Sequence, residues 1–473
     1  MTLWRRAGGL RGVGLVVLLM ASLRLFQLLL VGWLVPADES IVDRLLIWDG
    51  GWFINVATDG YPDGYSYDED GVRVGNGFAF FPLFPLLVRG VAAIGIPAAT
   101  ASLLVAGLAG IAAGVLIYLL GTALWSRRVG LVLTVLVCAQ PMAVVLVMGY
   151  TEPLFLALVA GTLLAAHQRI WWLAGLLGVA AALTRPTGMA VGVALAVAVF
   201  MLWRVRLAAE RRVPPSPFPA RARADSPAVQ ANALQTPTPA GGIPLLSSGQ
   251  SRLGAGLSSA DDGAPLPGME RGLLELAASR TGSAPARRVL GGRATLFASK
   301  GPVTKVELAW AMVAAAVTLL AGPAFLAWVG WRVGEWDAWF KVQTDGWGST
   351  FDGGWSVVDF VLETLNGGSG MVELVTAWMI IGTIVLCLLA IMDRVWPPLL
   401  VYGLIGLVLV VGQAGYWHSK PRLLVPVLLL ACVPLAKGLA QTPARTAAAV
   451  LALWSAFGLW FGAYMITIWP FTI

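Results

Sequence analysis

Continuous apolar runs of about twenty residues recur along this chain, and no other feature narrows its fold as much, because about twenty helical residues cross the ~30 Å hydrocarbon core of a bilayer. Roughly eleven such runs can be drawn by hydropathy. They are unbroken rather than alternating. In lipid every backbone polar group must be satisfied internally, which leaves helices or closed barrels, and barrels need period-two patterning. A charged content of 12% and a mean hydropathy of +0.79 over 473 residues exclude an ordinary water-soluble domain. The expected fold class is an all-α polytopic membrane protein with about 11 transmembrane helices.

Charge suggests how the chain is threaded. Arg5, Arg6 and Arg11 precede the first apolar run, which is longer than a signal peptide's, so a retained first helix with a cytoplasmic N-terminus is expected. Residues 36–99 carry nine acidic against three basic residues, and residues 332–370 carry six against two. Both are expected outside, with a shorter outer loop at 413–422. The piece Phe78–Ile96, with Pro82 and Pro85, reads as interfacial, because counting it as a span would put Arg127 and Arg128 outside. Residues 204–305 hold 14 Lys+Arg against 6 Asp+Glu, a local +8 within a whole-chain +7. Rich in Pro, Ala, Gly and Ser, this stretch reads as a disordered basic cytoplasmic loop, with no aromatic-interleaved pattern to suggest nucleic acid. It separates an N-terminal transmembrane module, 1–203, from a C-terminal one, 306–473. The expected location is the cell (inner or plasma) membrane, multi-pass, with the lipid bilayer as solvent and partner.

Cys138, Cys387 and Cys432 all sit in apolar runs, and His167 and His418 are the only histidines, so neither a disulfide framework nor a His/Cys metal site is indicated. No cofactor is certain. The acidic run from Asp59 to Asp70 leaves a divalent cation open, but its spacing is not that of a calcium loop.

The most informative stretch is Trp48-Asp49-Gly50-Gly51-Trp52-Phe53, followed by Ala57-Thr58-Asp59-Gly60-Tyr61 and Phe80-Phe81-Pro82-Leu83-Phe84-Pro85. A carboxylate between aromatic rings just beyond the membrane surface can accept a proton from a sugar or lipid hydroxyl, with the rings stacking on sugar faces. The plainer readings are a helix cap for Asp49 and an interfacial aromatic belt for the rings. Arg185, Lys420 and Arg422 are cations expected near outer helix ends, where they either bind phosphate or anchor to headgroups. Glu152, after Tyr150-Thr151, binds the acceptor, pairs with one of these arginines, or is simply a helix-start carboxylate favoured by the dipole. His418 could touch sugar or phosphate, or be an ordinary loop histidine. Arg24, near the middle of the first run, is assigned to structure.

These motifs together resemble the glycosylphosphatidylinositol mannosyltransferase II (PIG-V) family of C-type glycosyltransferases. The resemblance rests on Trp48-Asp49 through Tyr61, Phe80 through Pro85, Tyr150-Thr-Glu152-Pro, Arg185-Pro-Thr-Gly188, Gln343 with Gly346-Trp347, and Ser419-Lys420-Pro421-Arg422-Leu423-Leu424. It implies a C-type glycosyltransferase architecture and mannose moved from a polyprenyl-phosphate donor to a hydroxyl of a glycolipid, glycan or protein on the outer face, with inversion. By the same resemblance Asp49 is the catalytic residue; Arg422, Lys420 and Arg185, which lie in the matched motifs, are expected to bind donor phosphate, and Trp48, Trp52, Tyr150, Glu152, Gln343 and His418 to line the substrate site. The competing class is a transporter or flippase of an anionic or lipid-linked substrate, against which stand few membrane-depth charges and no evident inverted repeat.

Overall fold

The computed structural model describes residues 2–211 and 296–473. Most of the expected basic loop lies outside the described residues, although the helix Met189–Glu210 runs into its expected start.

Six helices are long and apolar enough to cross a membrane: Gly9–Leu34, Ala98–Leu124, Pro186–Glu210, Lys305–Val333, Met371–Met392 and Ala444–Thr467. A seventh span forms if Trp417–Leu423 and Leu428–Leu439, bent by 63°, are taken together. The chain is thus a multi-pass helical membrane protein. The expected count of eleven includes shorter pieces. Glu152–His167, Trp171–Ala182 and Pro397–Val411, of 16, 12 and 15 residues, rise only about 18–24 Å each. Leu83–Ala92 rises about 15 Å, too little to span.

Small residues let the helices approach closely. A Cβ on Gly121 would lie 2.6 Å from the Gly130 Cα, so the helices Ala98–Leu124 and Arg127–Cys138 cross backbone to backbone. The helix Lys305–Val333 opens with a side-chain cap: Thr304 Oγ1 accepts from the Glu307 amide at 3.1 Å. Glu307 in turn receives Arg169 Nε at 2.6 Å and Trp171 Nε1 at 3.2 Å, tying the helix starts Lys305 and Trp171 together.

The helix Arg127–Cys138 stops within the bundle, and the backbone stays irregular, apart from a short 3-10 turn at Ala143–Leu146, until Glu152 starts the next helix. Irregular backbone at such depth is tolerated only where protein satisfies it. Arg24, buried on the first helix, does so. Its Nη1 donates to the Ala143 carbonyl at 2.8 Å and its Nη2 to the Cys138 carbonyl, while Gln27 on the same face donates to Leu459 at 2.9 Å. Arg24→Met, which removes the donors and keeps an apolar stem, is expected to cost about 2 kcal/mol through orphaned carbonyls, read as a lower thermal midpoint in detergent. An unchanged midpoint would remove Arg24 from this role.

Candidate active site

The segments that carry the motifs meet at one end of the bundle. After the first span, the helix Ile41–Leu46 leads through Ile47 and Trp48 into the helix Asp49–Thr58. Trp48 takes φ +58°, ψ −113°, a left-handed setting uncommon for a bulky residue, so strain sits directly before Asp49. The cap position belongs to Trp48, which makes no side-chain cap bond, and this leaves Asp49 as the first helical residue with its carboxylate free to turn inward.

That carboxylate meets Arg422. Arg422 Nη1 donates to Asp49 Oδ2 at 2.5 Å, and the guanidinium carbon stands 5.1 Å over the Tyr150 ring. Its Nε lies 3.5 Å from Glu152 Oε1, a charge contact rather than a hydrogen bond. Arg185 Nη1 takes the same Glu152 oxygen at 2.6 Å and Thr151 Oγ1 at 3.3 Å. Two carboxylates and two guanidiniums from four distant stretches of chain therefore form one alternating chain, Asp49, Arg422, Glu152, Arg185. Glu152 is sealed, with 2% of its side chain exposed, whereas Asp49 keeps 29%. The end that opens outward is the Asp49 end.

Backbone contacts hold the two sides in register. Gly149 N donates to the Leu45 carbonyl at 3.0 Å and Tyr150 Oη to the Ile47 carbonyl at 3.0 Å, so the turn before Asp49 is pinned to the turn before Glu152. The Tyr150 ring lies beside the start of the Asp49 helix at ordinary contact distance: a Cβ on Gly50 would fall 3.6 Å from Tyr150 Cε1.

Above this chain of charges stands an aromatic wall. Trp52, one turn from Asp49, stacks on Phe80 with centroids 5.9 Å apart, and Trp347 meets both edge-on at 5.9 and 5.7 Å. Trp347 ends the helix Ala338–Trp347, which packs on a hairpin made of Ser66–Tyr67 and Arg73–Val74. The approach is tight: a Cβ on Gly346 would lie 2.3 Å from the Gly75 Cα. Gly346→Ala is accordingly expected to cost about 1–3 kcal/mol by overpacking, measured as thermal unfolding. Gly64→Ala, with open space at its Cβ, serves as the control.

Polar contacts join the same two loops. Tyr65 Oη donates to Glu335 Oε2 at 2.9 Å, and Lys341 Nζ reaches Glu335 at 2.5 Å. Arg73 covers the Tyr65 ring at 3.9 Å and pairs with Asp345 at 2.6 Å. Desolvation and the Glu335 carboxylate push the Tyr65 phenol up to about 12, while hydrogen bonds from Lys341 and Tyr65 hold Glu335 below the usual carboxylate range.

Not every residue named from the sequence reaches the cluster. Lys420 is buried and gives its Nζ to the carbonyls of Val410, at 2.9 Å, and Gln413, so it ties down the turn before the bent helix pair. Gln343 donates to the Ala79 carbonyl at 3.3 Å, bracing the loop behind Phe80. His418 sits between the rings of Tyr416 and Trp417, both 5.3 Å away. Of the residues not singled out for the site, Phe80, Trp347 and Gly75 complete the aromatic wall, and Thr151 supports Arg185.

A scan against protein-family models and a search of curated proteins find no match. Among solved structures, the chain is similar to an Archaeoglobus fulgidus oligosaccharyltransferase in the apo form, at 13% sequence identity and a TM-score of 0.42. The alignment covers 95% of this chain and 56% of that one. This chain therefore spans little more than half the length of that protein, and a likeness at this level decides neither family nor activity.

Proposed function

We propose that the chain is a membrane glycosyltransferase of C-type glycosyltransferase-like architecture that moves mannose from a polyprenyl-phosphate donor to an acceptor hydroxyl on the extracytoplasmic face, with inversion. The observation that carries this reading is the partly exposed Asp49 carboxylate held on the buried Arg422, one helical turn from Trp52 and the Phe80 and Trp347 rings packed on it. A base, a cation and an aromatic platform in one opening are what a sugar transfer from a lipid phosphate requires. The sequence resemblance supplies mannose and the class of donor. The acidic bias of residues 36–99 and 332–370 supports the extracytoplasmic side.

In this mechanism Asp49 takes the proton from the acceptor hydroxyl as its oxygen bonds to the anomeric carbon from the face opposite the lipid phosphate. The bond between the anomeric carbon and the phosphate oxygen breaks, and its electron pair leaves with the phosphate. Protonation neutralises Asp49, so Arg422 loses the nearer of its two counter-charges, keeping Glu152, in the same step in which negative charge grows on the leaving group. Glu152 and Arg185 keep the Arg422 side chain in place while this happens. Lipid phosphate is already a good leaving group, so no second carboxylic acid is needed to protonate it, in contrast to a glycosidase.

The test is transfer of radiolabel from polyprenyl-phosphate-mannose to total membrane acceptors by purified protein. Labelled product supports the reading. No product across several lipid-linked sugars, combined with substrate flux in proteoliposomes, would replace it with a transporter.

A further inference from the structure

At the other end of the Asp49–Thr58 helix, about 14 Å from Asp49 along its axis, a second cavity opens that the mechanism does not use. It has a volume of about 180 Å³ and lies between the helix Leu83–Ala92 and the end of the helix Lys305–Val333. Tyr61, Leu86, Trp328, Arg89 and Arg332 form part of its wall.

Both arginines are fixed in place yet incompletely used. Arg89 donates Nε to the Ala57 carbonyl at 2.6 Å and Nη2 to the Thr58 carbonyl at 3.0 Å, closing the C-terminal end of the Asp49 helix. Arg332 donates Nε to the Pro62 carbonyl at 2.9 Å and Nη2 to Asp63 at 2.6 Å, with its guanidinium 5.9 Å over Trp328. A guanidinium carries five N–H donors. In each arginine both Nη1 hydrogens and one Nη2 hydrogen meet no acceptor among the described residues. Asp63 is fully exposed and its pairing correspondingly weak, so the cavity keeps a net positive charge with donors to spare.

The surroundings place these donors at headgroup depth. The long span Lys305–Val333 ends here, and Leu86 on the cavity wall and Trp331 beside Arg332 are 59% and 79% exposed. An apolar rim around paired arginines at the end of a span suits a ligand with a charged phosphate and an apolar body better than a small soluble anion. We propose that this cavity holds the phosphate of an anionic bilayer lipid, independently of the reaction at Asp49.

The experiment uses the full-length protein in nanodiscs of phosphatidylcholine, with or without phosphatidylglycerol, and in phosphatidylcholine discs with inorganic phosphate added. Retained lipid is counted by native mass spectrometry and thermal midpoints are taken in parallel. Phosphatidylglycerol is expected to be retained and to raise the midpoint of the wild type. Arg332→Gln should weaken retention about fivefold and abolish the midpoint rise, while Arg11→Gln, on an exposed residue of the first helix, should behave as wild type. Comparing midpoints with and without phosphatidylglycerol separates lost binding from lost folding, and Arg89→Gln provides a second variant. Equal retention by wild type and Arg332→Gln, or retention of phosphatidylcholine as strong as that of phosphatidylglycerol, would overturn the proposal. So would an Arg332-dependent midpoint rise with inorganic phosphate and none with phosphatidylglycerol, which would mark a site for soluble phosphate.

Discussion

Asp49→Asn is expected to lower kcat for sugar transfer by about 10²–10⁴-fold, the range over which a positioned general base contributes. Asn preserves the shape and can still accept a hydrogen bond from Arg422 through its amide oxygen, so the 2.5 Å contact is weakened rather than emptied. It cannot take the acceptor proton. It also leaves Arg422 with only the 3.5 Å charge contact to Glu152 from the start, so the gain in free positive charge that accompanies the reaction of the wild type is lost. KM for the donor is expected to move little or to fall, because an Arg422 freed from the Asp49 charge binds lipid phosphate at least as well as one paired with it. Initial rates with radiolabelled donor, on protein whose thermal midpoint has been checked, separate these effects. Asp59→Asn, on an exposed carboxylate at the far end of the same helix, is the matched control. Near-wild-type turnover in Asp49→Asn would remove the base from the mechanism, whatever the protein transfers.

The membrane class was legible in the sequence because hydropathy is additive along a span and needs no partner. The early end of the helix Arg127–Cys138 was not, because it depends on where neighbours satisfy the backbone: the helix stops where Arg24, more than a hundred residues earlier, donates to its last carbonyl. Asp49 stood out through its flanking Trp and Gly residues, and Arg422 through its motif. Their contact could not be read, since 373 residues separate them and nothing local specifies the pairing. Lys420 illustrates the opposite limit. Two residues from Arg422 and of like charge, it shared the phosphate-binding expectation, but its side chain closes on the Val410 and Gln413 carbonyls while Arg422 turns toward Asp49. Gly346 stood in the sequence only as part of a motif and Gly75 not at all, and the close approach the fold gives them sets Trp347 against Gly75 as well as Trp52 and Phe80.

The chain of charges behind Asp49 makes its own demand on stability. Glu152→Gln keeps the size of the side chain but leaves Arg422 and Arg185 facing one another across a buried site with only Asp49 in compensation. Removing one member of a buried ionic group costs about 3–5 kcal/mol, much of it the penalty of the charge left behind. A large fall in the thermal midpoint is therefore expected. If the loss comes from uncompensated charge, removing one guanidinium as well should restore part of it. Glu152→Gln with Arg185→Gln is expected to lie above the sum of the two single losses by about 1–3 kcal/mol, the range for residues in one ionic network. The pair should recover stability more fully than activity, because Arg422 would still lack the carboxylate that anchors its Nε side. Strict additivity in this cycle would show that Glu152 and Arg185 do not act as a unit. Full recovery of turnover in the double variant would show that Arg422 needs no support beyond Asp49.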